Sequence, residues 1–153
     1  MDRKKKPDQA LIDFDLLPGL VGYQLRRAQI AIFRDFNATI GELDVTPGLF
    51  GVLVVIDSNA GLTQNALAKA VHLDRSTVVT VIDKLEQRGL VERRAAVPDR
   101  RAHALVLTAA GAKLLKKLKG MVLEHEKRLA RHLTREEREV LMQLLERIFP
   151  ELR

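Results

Sequence analysis

The stretch that decides the fold runs over residues 62–111, LTQNALAKAVHLDRSTVVTVIDKLEQRGLVERRAAVPDRRAHALVLTAAG. It contains two helix starts, because Thr63 and Asp74 each precede a run with helical spacing of apolar residues. The side-chain oxygen of either residue can accept an N–H group from the first turn of the helix that follows. Gly89 stands where a glycine would end the second helix. This pattern predicts two short helices joined by a tight turn.

A β-hairpin is expected directly after the second helix. Residues 91–96 and 103–108 have the composition of strands, and Pro98 and Asp99 lie between them as turn-forming residues. Two helices followed by such a hairpin predict a winged helix-turn-helix, which places one helix in a DNA groove and a basic loop beside it. The alternative is an ordinary helical hairpin beside a small β-ribbon.

The second helix has an apolar stripe and, opposite it, a face suited to DNA. Every member of that face can donate a hydrogen bond to a phosphate or a base edge: Arg75, Ser76, Thr77, Thr80 and Lys84. The hairpin adds further candidate DNA contacts at Arg93, Arg94, Asp99, Arg100 and Arg101. Arg93 and Arg94 have two equal interpretations, as phosphate contacts or as solvated strand residues.

Composition favours a polyanionic partner. The chain has 153 residues and a net charge of +6, and residues 84–103 hold six basic side chains against three acidic ones. The absence of cysteine excludes disulfides, thiolate catalysis and cysteine-based zinc sites. No enzyme motif is present, and the four histidines are scattered and expected to be solvated. We therefore expect no enzyme activity, no cofactor and no metal site. No apolar run approaches the roughly 18 residues of a membrane span, so no membrane partner and a cytoplasmic location are expected.

Helical periodicity also dominates on either side of the central stretch. The first helix is expected from about Leu16 to Ile40, and others are expected to begin after Thr46, Thr108 and Thr134. The last helix is expected to turn its apolar residues inward: Val140, Leu141, Leu144, Leu145 and Ile148. The predicted fold class is mainly α with a small β-wing, a winged helix-turn-helix domain plus terminal dimerisation helices.

Four regions are expected within one compact domain. They are a flexible basic tail (1–14), N-terminal helices for dimerisation and a ligand pocket (15–57), the DNA-binding unit (58–108) and C-terminal dimerisation helices (109–153). The two terminal regions carry more apolar surface than one thin layer can bury, and a two-fold dimer would cover it. A dimer would also place two reading helices about one DNA turn apart (34–36 Å), as a palindrome requires.

The central stretch resembles the MarR family of bacterial winged-helix regulators. The similar segments are residues 73–78 (LDRSTV), 83–91 (DKLEQRGLV), 98–101 (PDRR) and 105–111 (LVLTAAG). The resemblance implies a homodimer on a palindromic operator, usually a repressor that a small ligand releases. It also implies that Asp99 braces Arg101 for the minor groove. The chain departs from the family at Val79-Thr80, where Thr-Arg is frequent, and the short Thr80 is not expected to read a guanine.

The family resemblance also suggests where an effector binds, between the first two helices, the long helix and the DNA-binding lobe. Candidate residues in that region combine basic and aromatic side chains: Tyr23, Arg26, Arg27, Phe33 and Phe50. They would suit an anionic, partly apolar ligand such as an aromatic acid or its coenzyme A thioester. The alternative is structural, with Arg26 and Arg27 in salt bridges between subunits and Phe33 in the core.

Three classes of function remain open at this point. The first is a ligand-responsive repressor that binds double-stranded DNA as a homodimer. The second is an effector-independent regulatory or architectural DNA-binding protein. The third is a module that uses the winged helix to bind another protein. Binding to a specific operator separates the first two classes from the third, and release by an effector separates the first from the second.

Overall fold

A computed structural model describes residues 12–95, 103–148 and 150 of the chain. Six helices lie within these ranges: α1 Val21–Ile40, α2 Pro47–Ser58, α3 Gln64–Ala70, α4 Arg75–Gln87, α5 Ala109–Leu129 and α6 Arg135–Ile148. Two strands, β1 Val91–Ala95 and β2 His103–Leu107, form an antiparallel sheet in which Val91 pairs with Leu107 and Ala95 with His103. The predicted fold class, mainly α with a small β-wing, is confirmed.

Five of the six predicted helix starts are confirmed by side-chain caps. In each case the capping oxygen accepts an N–H group from the third residue along: Thr46 from Leu49, Thr63 from Ala66, Asp74 from Thr77, Thr108 from Gly111 and Thr134 from Glu137. Thr134 forms the full capping box, because its own N–H donates to the Glu137 carboxylate at 2.7 Å. Gly89 ends α4 with a φ of +66°, the left-handed conformation that glycine adopts at no steric cost.

The expected start of the first helix at Leu16 is wrong by five residues. A 3₁₀ turn over Leu17–Gly19 comes first, and the extended backbone of Leu20 (ψ 127°) separates it from α1. Glycine weakens a helix because it loses the most backbone freedom on folding. Pro18 and Gly19 both stand in this turn, in a run whose apolar spacing alone looks continuous.

One core joins α1, α2, α5 and the winged helix-turn-helix. Its fully buried side chains include Ile40, Leu53, Leu67, Ile82, Leu85, Leu105, Leu115 and Leu118. The predicted inner stripe of α4 is confirmed, with Val78, Ile82 and Leu85 each no more than 1% exposed. Strand β2 is tied to the segment before α3, since the N–H of Leu105 donates to the carbonyl of Leu62 at 2.8 Å.

The start of α5 packs against the residues that directly follow α4. The hydroxyl of Thr108 donates to the carbonyl of Gly89 at 2.6 Å, and its N–H donates to the carbonyl of Leu90 at 3.1 Å. A Cβ at the buried Gly111 would lie 2.9 Å from the carbonyl carbon of Leu90 and closer still to its oxygen. The long helix can take this position only because residue 111 has no side chain.

The expectation that α6 turns its apolar residues inward is wrong for the single chain. The five residues named for that face are 37–52% exposed, and no residue of α6 is buried. Apolar side chains at the other end of the described chain are exposed as well, among them Ile12, Phe14, Leu16 and Val21. The cause is geometric, since no part of the chain that the structure describes covers this face of α6.

No single described helix is long and apolar enough to cross a membrane. Residues 21–43 and 47–58 reach the required length and composition only as a pair that is bent by 67°.

Candidate nucleic-acid interface

Helix α4 presents one polar face to solvent, opposite its buried stripe. The five residues predicted to read DNA from this helix are all exposed: Arg75, Ser76, Thr77, Thr80 and Lys84. By helical spacing, the last four share the polar face, whereas Arg75, the first residue of the helix, lies to one side of it. The face combines three hydroxyl groups with the cation of Lys84, the chemistry that contacts to phosphates and to base edges need.

The first turn of α4 is organised by its cap, Asp74. The carboxylate of Asp74 accepts hydrogen bonds from the hydroxyl of Ser76, from the hydroxyl of Thr77 (2.7 Å) and from the N–H of Thr77 (2.9 Å). These bonds, with that from Ser76 the strongest, hold the pKa of Asp74 well below its usual range. Farther along, the hydroxyl of Thr80 donates to the carbonyl of Ser76 at 3.1 Å. The polar face is therefore held in a defined arrangement before any ligand binds.

Arg93 is the link between the wing and the two helices of the helix-turn-helix. Its guanidinium contacts Asp83 at 2.5 Å, pairs with Glu86 and donates to the side-chain oxygen of Gln64 at 3.4 Å. These ion pairs outweigh the opposing effect of partial burial and raise the pKa of Arg93. The side chain is only 22% exposed. This geometry favours a structural role for Arg93 over both interpretations offered by the sequence, a phosphate contact and a solvated strand residue.

Of the remaining candidate residues in the wing, the structure describes Arg94 only. Arg94 is exposed and pairs with Glu92 on the same strand, so it keeps access to solvent. Asp99, Arg100 and Arg101, which carry the expected minor-groove contact, lie outside the described residues.

The candidate ligand residues on α1 and α2 fall into separate places. The guanidinium of Arg27 lies 5.8 Å from the centre of the Tyr23 ring, close enough for a cation–π contact. Arg26 lines an open groove of about 440 Å³ together with Gly22, Leu25 and Gln29. Phe33 is 44% exposed, and Phe50 packs against the edge of the core. The structure brings Tyr23 and Arg27 together, and the groove at Arg26 includes neither Phe33 nor Phe50.

A polar cluster forms around one buried histidine, and the expectation that all histidines are solvated is wrong for it. His125 on α5 is 2% exposed, and its Nδ1 donates to the carboxylate of Asp35 on α1 at 2.6 Å. Arg128 donates to the same carboxylate at 3.0 Å and to the hydroxyl of Thr39. The bond from His125, and then that from Arg128, keep the pKa of Asp35 below its ordinary value. These contacts join α1 to α5 and have no local sequence signal.

Comparison with known proteins relates this arrangement to DNA-binding regulators. The sequence model of the MarR family matches residues 43–102, which begin in the turn after α1. A proposed transcriptional regulatory protein for the hcr operon of Thauera aromatica is 41% identical over 134 residues, which cover 87% of this chain and 81% of that protein.

Solved structures give the same result for the fold. The transcriptional repressor CouR bound to a 23-mer DNA duplex is 37% identical, with a TM-score of 0.84 over 90% of this chain and 97% of CouR. The structure of CouR bound to p-coumaroyl-CoA is 36% identical, with a TM-score of 0.83 over 90% of this chain and 96% of CouR. Sequence and fold agree along nearly the whole chain, and the protein belongs to the MarR family of DNA-binding transcriptional regulators, which are not enzymes.

Proposed function

We propose that this protein is a homodimeric repressor that binds a palindromic operator and releases it when an anionic aromatic acid or aromatic acyl-CoA binds. The observation that carries the proposal is the pairing of two surfaces in one chain. One is the basic, hydroxyl-bearing face of α4. The other is the exposed apolar surface of residues 12–21 and of α6, which a second copy would bury. Transcriptional control by such a protein takes place in the cytoplasm.

The α4 face supports a helix in the major groove. Thr77 lies in the first turn of α4 and Lys84 in its last, so the polar face follows the helix along its length. A hydroxyl near the N-terminal end of such a helix can reach base edges, whereas a lysine near the other end acts through phosphate charge. Arg94, Arg100 and Arg101 extend this interface into the wing, with Asp99 bracing Arg101. Arg93 is not part of the proposed DNA interface, because its guanidinium is already engaged in ion pairs within the protein.

The exposed apolar faces support dimerisation. Apolar side chains of α6 and of residues 12–21 are 37–75% exposed in the single chain. Contiguous apolar surface of this kind marks a protein interface more often than a solvated surface. Two copies related by a two-fold axis would bury these faces and present two α4 helices to one duplex.

The effector class rests on the side chains of α1 and on one relative. Tyr23 and Arg27 form an aromatic–cation pair, and Arg26 lines the neighbouring groove. CouR, at 36% identity, has been solved with p-coumaroyl-CoA. An aromatic group joined to an anion matches both observations.

Footprinting on the DNA upstream of the gene tests the proposal. We expect one protected palindrome, and loss of protection on adding one member of a panel of aromatic acids and acyl-CoAs. Protection that no member of the panel changes would favour an effector-independent regulator. No specific protection at all would favour a protein-interaction module.

Two variants separate base reading from phosphate contact within the footprint. Thr77→Ala is expected to weaken operator binding by roughly 1–3 kcal/mol and to relax the preference at particular base pairs. Lys84→Ala is expected to reduce mainly the salt dependence of binding. Equal loss by Thr77→Ala on operator and on random DNA would assign Thr77 to a phosphate. An unchanged salt dependence would remove Lys84 from the interface.

A further inference from the structure

The C-terminal end of α4 is fastened to the corner between α1 and α2 by one side chain. Arg88 donates from Nη1 to the carbonyl of Asp44 at 2.7 Å and from Nη2 to the carbonyl of Leu43 at 3.0 Å. The carboxylate of Asp44 lies farther away, at 3.6 Å, and is 93% exposed. Arg88 is 31% exposed. The attachment is therefore made by two main-chain carbonyls, with little contribution from the charge of Asp44.

Both ends of this attachment are themselves held by main-chain hydrogen bonds. Asp44 has a left-handed backbone (φ +50°), and its N–H closes a turn onto the carbonyl of Gly41 at 2.9 Å. The next residue, Val45, is 3% exposed and anchors the corner in the core. On the other side, Arg88 is the C-cap of α4, and its N–H donates to the carbonyl of Lys84 at 3.1 Å.

The two ends of α4 are held in different ways. Its C-terminal end is fixed to the α1–α2 corner by Arg88 and to α5 through the bond between Thr108 and Gly89. Its first turn carries Arg75, Ser76 and Thr77, and the polar face continues from there to Lys84. Because α4 rises about 1.5 Å per residue, its 13 residues span roughly 20 Å. A tilt of about 10° at the fixed end would then move the exposed end by about 3 Å, close to the rise of one base pair.

We propose that Arg88 is a positioning residue, which sets the angle of α4 against α1 and thereby the half-site spacing that the dimer accepts. Arg88 need not touch DNA to do this. It acts through two carbonyls that belong to the connection between a dimerisation helix and the core. The inference rests on the proposed function, because half-site spacing has meaning only for a dimer on a palindrome.

The DNA experiment compares operators that differ only in spacing. The footprinted operator is made with one base pair removed from, or one or two added to, its centre, and affinity is measured for each. The affinity of the wild-type protein is expected to fall at least about tenfold when the spacing changes by one base pair. Arg88→Ala is expected to bind the native operator more weakly than the wild type does. Its affinity for each altered operator is expected to lie within about threefold of its own affinity for the native operator. Arg88→Lys, which can reach only one carbonyl at a time, is expected to fall between them.

The matched control is Asp44→Asn, which removes the charge but keeps both carbonyl acceptors and should retain the wild-type spacing preference. A loss by Arg88→Ala that is equal on every spacing would overturn the inference. The same holds if Asp44→Asn relaxes the preference as much as Arg88→Ala does. If Arg88→Ala does not fold, as judged by its thermal transition, Arg88→Lys decides the question alone.

A second measurement needs no DNA and keeps this inference separable from the proposed function. The chain has no cysteine, so Arg34→Cys on α1 and Arg75→Cys on α4 give two unique sites for spin labels. Labelled protein is diluted into an excess of unlabelled protein, and the distance between the labels within one chain is measured by pulsed electron spin resonance. Arg88→Ala is expected to broaden or shift this distribution, while Asp44→Asn leaves it unchanged. An unchanged distribution in Arg88→Ala would overturn the inference even if operator binding is found. Broadening without any specific operator would contradict the proposed function alone.

Discussion

The guanidinium of Arg93 on β1 lies 2.5 Å from the carboxylate of Asp83 on α4, so the wing is ion-paired to the helix proposed to read DNA. The residues are ten positions apart, and Glu86 completes the arrangement from one helical turn farther along α4. The wing and α4 thus form one unit, because a shift of either the strand or the helix would disturb the ion pairs that join it to the other.

Replacing Arg93 by methionine is expected to lower the free energy of unfolding by about 1–3 kcal/mol, because Asp83 and Glu86 would lose their common partner. Arg94→Met is the matched control one residue along the strand. The exposed pair of Arg94 with Glu92 is expected to contribute less than about 1 kcal/mol. Urea unfolding of both variants measures the difference. Equal destabilisation by the two would contradict the role assigned to Arg93.

Gly111→Ala is expected to destabilise the protein by at least about 2 kcal/mol, since the new Cβ would overlap main-chain atoms of Leu90. Gly120 on the same helix has open space where a Cβ would be placed. Gly120→Ala should therefore raise stability by about 0.5–1 kcal/mol through helix propensity. Thermal unfolding of both variants shows whether each substitution lowers or raises the stability. A neutral Gly111→Ala would show that α5 can shift away from the exit of α4.

His125→Ala is expected to lower the free energy of unfolding by about 2–4 kcal/mol, because it leaves a cavity and removes a partner from Asp35. The ring also packs edge-on against Phe36, with the ring centres 5.5 Å apart. His132→Ala, at an exposed position on the same end of the molecule, should stay within about 0.5 kcal/mol of the wild type. The two variants can be compared by urea denaturation. Similar values for both would mean that the burial of His125 carries no stability.

Acid should weaken the fold through Asp74 and Asp35. Both carboxyl groups have a pKa below the ordinary value of 3.8 because hydrogen bonds favour their ionised forms, from Ser76 above all at Asp74 and from His125 at Asp35. A lowered pKa in the folded state gives stability that is complete above pH 3.8 and is lost as the pH falls below that value. Urea midpoints measured from pH 5 down to about pH 2 should therefore decline.

The variant Asp74→Asn checks this assignment, because asparagine can still accept the N–H of Thr77 but does not titrate. Its urea midpoint should fall less steeply with acid than that of the wild type. A slope identical to the wild type would remove Asp74 from the acid-sensitive groups.

Local signals in the sequence were sufficient for most of the fold. A cap such as Thr63 or Asp74 acts on an N–H group three residues away, so the cause and the effect lie in one short window. The same holds for Gly89, whose left-handed backbone ends α4. Apolar spacing does not give the start of α1, because that spacing continues through Pro18 and Gly19, where the helix does not form.

Long-range contacts were beyond such reasoning. Asp35 and His125 are 90 residues apart, and Arg88 and Asp44 are 44 apart. No window along the chain contains both partners. The polar face of α4 could be predicted because one helix carries all of it, whereas the role of Arg93 depends on Gln64, 29 residues away. Residues that act through their own helix were thus identified, and those that act by joining elements were not.

Helix α6 has its capping box at Thr134 and yet buries no residue within its own chain. Under the proposed dimer, the free energy that keeps it folded comes from a second molecule and so varies with the logarithm of protein concentration. The stability of the fold and the occupancy of the operator would then both depend on the protein concentration. A cell that makes little of this protein would have neither a complete fold nor a complete DNA reader, and a modest rise in synthesis would supply both together.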